Sequence, residues 1–336
     1  MPHFTNFVIN SSCRYLLFLK IMKKLFFYLL CLVCIILSCH IPDVEPITEN
    51  VNAYSNTRVD VTTTPFQAGQ SQGTVKDASL DEISGIAMSR VNTLGYAWVH
   101  EDSGGPNKVF LLNQTGTTQA SYALSGILNR DWEDIAIGPG PSAGANYIYL
   151  AEIGDNLKIF GTYYIYRFPE PNITGKTLPY SGTITSIDKI RFKYPDNKPR
   201  NAETLMVDPL TKDLYVVSKE SSGNANVYKM AYPQSTSSVN TLTLLGSIGV
   251  VTAVGGDISA DGNEILIKNI GNVYYWKKSS ANQSIWALLQ STKTTLTYTA
   301  EPQGEAIAWA KNGTGYYTTS EKANNVTPVI YFYKRN

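Results

Sequence analysis

The sequence predicts an all-β fold, a β-propeller of five four-stranded blades. The chain contains 22 Tyr, 25 Gly and 16 Pro among its 336 residues, a composition typical of strands joined by many turns. A pair of apolar strands preceded by a polar, acidic segment occurs five times. Four short strands in each period of about 50 residues are typical of a propeller blade.

The first strand of each copy begins at an acidic residue and continues with small and apolar residues. The first-strand segments are 81–87, 130–137, 201–208, 256–261 and 304–309. The acids that begin them are Glu82, Glu133, Glu203, Asp257 and Glu305, at intervals of 51, 70, 54 and 48 residues. The interval of 70 residues is the longest, so a sixth blade within 169–195 is the alternative to five.

The remaining strands of each copy are predicted from β-branched and aromatic runs separated by turns. Second strands are expected at 96–102, 147–156, 214–220, 264–269 and 315–321, and third strands at 109–112, 163–168, 226–230, 273–277 and 329–334. Fourth strands are expected at 120–124, 187–194, 241–248 and 286–290. The fifth copy lacks a fourth strand, so an N-terminal segment, 59–64 or 73–78, is expected to complete it and close the ring. Almost no helix is expected.

The N-terminus has the pattern of an export signal. Lys23 and Lys24 precede an apolar run, 25–37, which ends at Ser38 and Cys39. The segment around Cys39 resembles a bacterial lipobox, which implies a lipid on that cysteine, and Met22 is the expected start. We therefore expect a lipoprotein signal at 1–39, a tether at 40–56 and one propeller domain at 57–336. The predicted location is the outer membrane, facing the periplasm or the cell surface.

Cysteine content and charge exclude several classes of function. All four cysteines lie within residues 1–39, so the predicted domain has no disulfide, no catalytic cysteine and no thiolate metal site. The chain has 28 basic and 27 acidic residues, which does not favour a nucleic-acid partner. We expect a monomer whose partners are the membrane and either a small anionic ligand or an envelope protein.

The five repeated acids form the candidate site. The first strand of a blade lines the central channel, so these acids are expected to converge at one mouth of it. Converging carboxylates raise one another's pKa unless a cation compensates them, and such oxygen ligands suit Ca²⁺. Further oxygen ligands at the ends of second strands are Asp102, Glu152, Asp155 and Asn156.

Basic residues at similar positions allow two other interpretations. The candidate channel bases are His100, Arg130, Arg200, Lys219 and Lys268. Acids and bases from different blades could pair into a neutral structural ring, or a mixed ring could hold an anionic ligand. Nucleophilic catalysis has little support, because the predicted domain contains only His100 and no G-x-S-x-G elbow.

Several motifs are similar to those of known propellers. The segments 130–136, 153–156, 166–171 and 202–209 together resemble a family of secreted bacterial β-propeller proteins, a likeness that spans residues 80–320 and implies the fold but no activity. Glu203 followed by 214–220 is more distantly similar to β-propeller phytases and phytase-like esterases, in which acids hold calcium ions that bind phosphate. In this chain Lys219 stands where that pattern has an acid.

Two hypotheses follow for the function. The first is a lipid-anchored binding or scaffold module that acts through its channel face. The second is a metal-dependent hydrolase of esters or phosphoesters that uses the channel acids.

Overall fold

The computed structural model describes residues 64–336, which form a five-bladed β-propeller, so the predicted fold class is confirmed. Contacts within the chain also define Thr64–Asn336 as one unit. The predicted signal segment with Cys39, the tether and nearly all of the candidate closing strand at 59–64 lie outside the described residues.

Each blade contains four antiparallel strands, the first of which lines the channel, and blades 1 and 2 each have an additional strand at the outer edge. Blade 1 contains β2 (Ile83–Met88), β3 (Ala97–Glu101), β4 (Lys108–Leu112) and β5 (Thr118–Leu124). Blade 2 contains β6 (Trp132–Pro139), β7 (Asn146–Glu152), β8 (Tyr163–Pro169) and β10 (Asp188–Lys193). Blade 3 contains β11 (Ala202–Val207), β12 (Leu214–Ser218), β13 (Ala225–Met230) and β15 (Thr243–Ile248). Blade 4 contains β16 (Gly255–Ile258), β17 (Glu264–Lys268), β18 (Val273–Lys277) and β19 (Thr294–Leu296). Blade 5 contains β20 (Ala306–Trp309), β21 (Gly315–Thr319), β22 (Val329–Lys334) and β1 (Gln70–Thr74).

The five inner strands form the ring around the channel. In circular order β2, β6, β11, β16 and β20 each contact the next, and β20 contacts β2. The apolar side chains of neighbouring blades pack into five hydrophobic clusters, one in each gap between blades. The core is therefore distributed around the ring, and each blade depends on both neighbours for its burial.

The ring is closed by the N-terminal strand, as predicted. β1 pairs antiparallel with β22 and supplies the outer strand of blade 5. This strand begins at Gln70 and shares only residues 73 and 74 with the closing strand predicted at 73–78. Just before it, Phe66 is buried in the gap between blades 4 and 5, where its ring meets those of Tyr275 and Tyr316.

The long interval in blade 2 does not contain a sixth blade. Residues 169–195 hold β9 (Tyr180–Ile184), which pairs parallel with β5 and adds a fifth strand to blade 1, followed by β10. Similarly, β14 (Asn240–Thr241) pairs parallel with β10 and adds a fifth strand to the outer edge of blade 2. The two added strands, β9 and β14, therefore cover the outer edges of blades 1 and 2, which would otherwise be exposed.

The strand predicted at 286–290 is wrong: this segment is a short helix, α1 (Ile285–Leu289), and the fourth strand of blade 4 is β19. Ser284 caps the helix by accepting the backbone N–H of Ala287. Ile285, Leu288 and Leu289 are buried, a spacing of three and four that belongs to a helix. Within residues 64–336 the expectation of little helix is otherwise confirmed, since α1 has five residues.

The topology defines two faces, and we call the one at which the inner strands begin the mouth face. Loops from second to third strands also lie there, whereas β22 ends on the opposite face. Phe66 pairs with Arg335 just after β22, so the chain enters the propeller on the face opposite the mouth. No helix in the described part of the chain, 64–336, is long and apolar enough to cross a membrane.

The first prediction concerns closure of the ring. Phe66→Ala removes a fully buried aromatic side chain from the segment that leads into β1, and we expect it to lower the free energy of unfolding by about 3–5 kcal/mol. Urea unfolding followed by tryptophan fluorescence would measure this. The control is Leu128→Ala, whose side chain is 81% exposed and whose effect should stay within about 0.5 kcal/mol. Equal stability of the two variants would show that this segment does not hold the ring closed.

Candidate functional site: a carboxylate cluster at the channel mouth

The candidate site begins with a shared irregularity of the inner strands. Where blades 1, 2 and 3 start, the inner strand carries a β-bulge, and the bulged residues are Ser84, Glu133 and Glu203. Bulges redirect a side chain away from the regular alternation of the strand. Glu305 precedes β20 directly and takes the same position in blade 5. In blade 4, which has a regular start, this position is occupied by Gly256.

Three of the five predicted acids meet at this position. Oxygen atoms of Glu133, Glu203 and Glu305 lie within 4.8 Å of one another, and all three side chains are buried. They come from blades 2, 3 and 5. In blade 1 Ser84 stands in place of an acid: its hydroxyl donates to the Glu133 carbonyl at 2.6 Å and lies 3.4 Å from Oε2 of Glu305.

The structure corrects the expectation that Glu82 and Asp257 join this group. Glu82 lies two residues before Ser84, and its counterpart is Asp131, because their carbonyls accept the N–H groups of Asp102 and Gly154 at the same place in their blades. Asp257 lies one residue beyond Gly256, which occupies the channel-facing position of blade 4. Neighbouring residues of a strand point to opposite faces, and the Asp257 carboxylate accepts the backbone N–H of Trp309 at 2.8 Å instead.

A second carboxylate group adjoins the first. Oxygen atoms of Asp102, Asp131 and Glu133 also lie within 4.8 Å of one another, so Glu133 belongs to both groups. Gly154 makes this possible, because a Cβ at position 154 would overlap the carboxylates of Glu133 and Asp131. We refer to Asp102, Asp131, Glu133, Glu203 and Glu305 as the mouth cluster.

Two lysines lie beside the mouth cluster. Nζ of Lys219 is 2.5 Å from Oε2 of Glu203 and 4.0 Å from Oε1 of Glu305. Lys268 is fully buried and donates to the Gly304 carbonyl and to the Tyr298 hydroxyl. Within residues 64–336 no salt bridge joins Glu133 to a basic side chain. Among the three glutamates of the described chain, Glu203 and Glu305 therefore have a lysine within 4.0 Å, whereas Glu133 has no salt-bridge partner.

The pKa values of the cluster follow from burial and from this one-sided compensation. Burial raises the pKa of Glu133 well above its ordinary value, and the neighbouring carboxylates raise it further. Burial likewise raises the pKa of Glu305 to about 8. Burial also raises the pKa of Glu203, although Lys219 opposes the shift.

Burial and the nearby carboxylates also act on the two lysines, but the carboxylates dominate for Lys219 and burial dominates for Lys268. Burial alone would lower the pKa of Lys219, but the charges of the three glutamates raise it above its ordinary value. Burial lowers the pKa of Lys268 to about 8. Lys219 is therefore the stable positive charge of the site. Near neutral pH the cluster is expected to hold both protons and negative charge.

The acids predicted at the end of the second strand of blade 2 have structural partners. Glu152 is paired with Arg130 at 3.1 Å and accepts the hydroxyl hydrogen of Tyr166 at 2.9 Å. Asp155 accepts two backbone N–H groups, at residues 159 and 160, and the hydroxyl of Tyr163. These contacts stabilise the loop between β7 and β8. Asn156 accepts an amide hydrogen of Asn201, at 3.1 Å.

Of the five predicted bases, Arg130 and Arg200 pair with acids outside the mouth cluster, and His100 is neutral. Arg130 covers the ring of Phe160 and pairs with Glu152, while Arg200 pairs with Asp196. His100 is fully buried with Nδ1 3.0 Å from the Glu101 carbonyl, and burial lowers its pKa to about 4. A neutral His100 provides no positive charge to the channel at neutral pH.

Several residues of the site were not among the predicted ligands. Ser84 and Gly154 have no chemical signature of their own, and only an alignment of the repeats to the bulges would have placed them. Asn201 donates to Oε1 of Glu203 at 3.2 Å, so it orients that carboxylate. Asp131 follows Arg130 in the most acidic of the five repeats, which was a usable signal.

Comparisons with known proteins do not assign the chain to a family. No protein-family model matches the chain, and no curated protein matches it significantly. Among solved structures, the PQQ-bound form of aldose sugar dehydrogenase from Streptomyces coelicolor is similar, with 10% sequence identity and a TM-score of 0.45. The match covers 80% of this chain and 97% of that chain.

The second prediction concerns stability and pH. An acid whose pKa is higher in the folded protein than in the unfolded chain binds more protons when folded, so stability falls as pH rises between the two values. For Glu305, with a pKa of about 8, the free energy of unfolding should fall by up to about 1.4 kcal/mol per pH unit between roughly pH 5 and pH 8. Glu305→Gln should flatten this slope. Urea unfolding at four pH values in EDTA would measure it, and parallel curves for the two proteins would contradict the raised pKa.

Proposed function

We propose that the protein is a binding module of the cell envelope whose mouth cluster holds a divalent cation, with Ca²⁺ the expected ion. The observation that carries the proposal is the convergence of three buried carboxylates from three different blades. A buried carboxylate without a positive partner is unfavourable, and it is relieved either by a proton or by a cation. A cation at this position would also join the blades that supply its ligands.

The donor set fits a hard cation. The mouth cluster offers carboxylate oxygens only, which Ca²⁺ prefers over the nitrogen and sulfur ligands of zinc. Ca²⁺ also tolerates irregular arrangements of six to eight ligands, which a set drawn from separate blades would provide. The chemistry of the residues present therefore agrees with the ion that the distant resemblance to phytases implies.

The two carboxylate groups are not equivalent for such an ion. Lys219 already contacts Glu203, so the group that contains Glu203 and Glu305 has a positive charge of its own. The adjoining group of Asp102, Asp131 and Glu133 has its most buried member, Glu133, surrounded by negative charge. Glu133 belongs to both groups, so we expect the cation to contact Glu133, with Lys219 remaining as a fixed positive charge beside Glu203.

Binding is favoured over catalysis by the accessibility of the site. The residues Glu133 and Glu203 are each 3% exposed, which admits an ion more readily than a substrate. A metal-dependent hydrolase would need an open position on the ion for the scissile group or for water. The hydrolase hypothesis thus rests on the same residues but also requires space for a substrate beside the ion.

The third prediction tests the cation. Titration of the full-length protein in detergent with Ca²⁺ should give saturable binding, and the affinity should rise as pH increases to about 8, because the ion must displace protons from acids with raised pKa values. Repeating the calorimetry in buffers of different ionisation enthalpy would show the released protons directly.

Variants sharpen the same test. Glu133→Gln removes the acid common to both groups and should abolish measurable binding, whereas Asp196→Asn changes an exposed acid whose ion pair is with Arg200 and should leave it unaltered. Lys219→Met removes the competing positive charge and should tighten binding. Absence of Ca²⁺ binding by the wild-type protein at every pH would contradict the proposal. Release of phosphate from a phosphoester by the Ca²⁺-loaded protein alone would instead favour the hydrolase.

The fourth prediction concerns the envelope location, which is part of the proposal. Cys39→Ser removes the predicted lipid attachment site, and the protein should move from the membrane fraction to the soluble fraction. Because one acyl chain alone anchors weakly and a multiply acylated cysteine anchors firmly, the change should be large. Cys34→Ser, in the same segment, is the matched control. Unchanged membrane partition of the Cys39 variant would remove the lipoprotein assignment.

A further inference from the structure

A polar cavity lies between blades 3 and 4, apart from the mouth cluster. Its volume is about 470 Å³, and its walls come from the end of β15, from β18 and β19, and from the segment that follows α1. Hydroxyl groups of Ser247, Ser291 and Thr292 line it together with Lys293. No aspartate or glutamate of the described chain is among its lining residues. The cavity is therefore rich in hydrogen-bond donors and has no negative side chain in its wall.

A buried donor in this cavity lacks an acceptor. Trp276 lines the cavity and is 2% exposed, yet its indole Nε1–H has no hydrogen-bond partner among the described residues. Indole nitrogen can only donate. A buried donor left unpaired is unfavourable by roughly 1–3 kcal/mol, so tryptophans usually find an acceptor. The indole N–H of Trp276 is therefore a donor that no acceptor within residues 64–336 satisfies.

Lys293 supplies positive charge to the same cavity. Its ammonium group lies 5.3 Å from the ring centroid of Tyr274 and close to Gly249, where a Cβ would be 3.2 Å from Nζ. No carboxylate in residues 64–336 forms a salt bridge with it. Gly249 thus keeps the lysine accessible to a ligand, and the aromatic ring holds the ammonium in place.

The end of α1 does not oppose an anion here. The Leu288 carbonyl in the last turn of α1 accepts the backbone N–H and the hydroxyl of Ser291. A second cavity of similar size, between blades 2 and 3, shows the contrasting case. There the Arg167 guanidinium is already neutralised by Asp188 at 2.7 Å.

We propose that the cavity beside Lys293 and Trp276 binds a small anionic ligand through a phosphate or carboxylate group. Lys293 supplies the charge, the indole N–H of Trp276 supplies a directional donor, and the hydroxyls of Ser247 and Thr292 complete the set, whereas the Ser291 hydroxyl already donates to the Leu288 carbonyl. This site is independent of the cation at the channel mouth.

The experiment titrates the full-length protein in detergent with inorganic phosphate and, separately, with succinate. EDTA is present throughout, so that an anion held through a divalent cation at the mouth cluster does not contribute. Tryptophan fluorescence and the thermal midpoint follow binding. We expect saturable binding of at least one of the two anions, and the arm that binds identifies the group as phosphate or carboxylate.

Variants connect binding to this cavity. Lys293→Met should weaken binding by roughly tenfold or more, since it removes a charge-assisted hydrogen bond. Trp276→Phe should weaken it less, and Thr292→Val, at an exposed residue, provides a second probe if the tryptophan variant folds poorly. Lys108→Met, at an exposed lysine of β4, should bind like the wild type. No binding of either anion, or equal binding by Lys293→Met and wild type, would overturn the proposal.

Discussion

The structure depends on one constraint: five strands from five blades must start at the same small opening. Each inner strand is buried against two neighbours, so whatever side chain its first residue carries is forced against the corresponding side chains of other blades. In this protein three of those residues are glutamates, and the ring brings their oxygens within 4.8 Å. Hydrophobic packing in the five gaps between blades drives this convergence, because the apolar area buried there outweighs the repulsion of a few carboxylates.

The chain compensates that repulsion unequally. Lys219 ends its strand beside Glu203 and stabilises the ionised form of that acid. Glu133 has carboxylates around it instead, and the absence of a side chain at Gly154 allows them to approach closely. A neutral structural ring, the second interpretation drawn from the sequence, would require each acid to have its own base. The structure provides this arrangement for Glu203 and for the outlying Glu152, which pairs with Arg130, but not for Glu133.

The fold was predictable because it rests on periodic features, whereas the site depends on register. Alternating apolar runs and turn residues located most strands, and a missing strand at the C-terminus indicated closure by the N-terminus. The segment around Trp286 was misassigned because a short apolar run fits both a strand and a helix, and the cap at Ser284 was the deciding signal. Asp257 was predicted to face the channel because it is acidic, like the residues that begin the other inner strands. The inner strand of blade 4 has no bulge, so Asp257 lies one residue beyond the channel-facing position and its carboxylate binds the backbone N–H of Trp309.

The departures from symmetry are what make a local site from a repetitive fold. Five identical glutamates would give a ring with no preferred position for a ligand. Ser84 in blade 1 and Gly256 in blade 4 remove two acids from the ring, and Lys219 neutralises a third position. The carboxylates of the mouth cluster meet at Glu133, beside which blade 1 contributes Asp102 and blade 2 contributes Asp131. Because each of these changes lies at a strand end and leaves the packed core unaltered, a propeller can acquire such a site without loss of its fold.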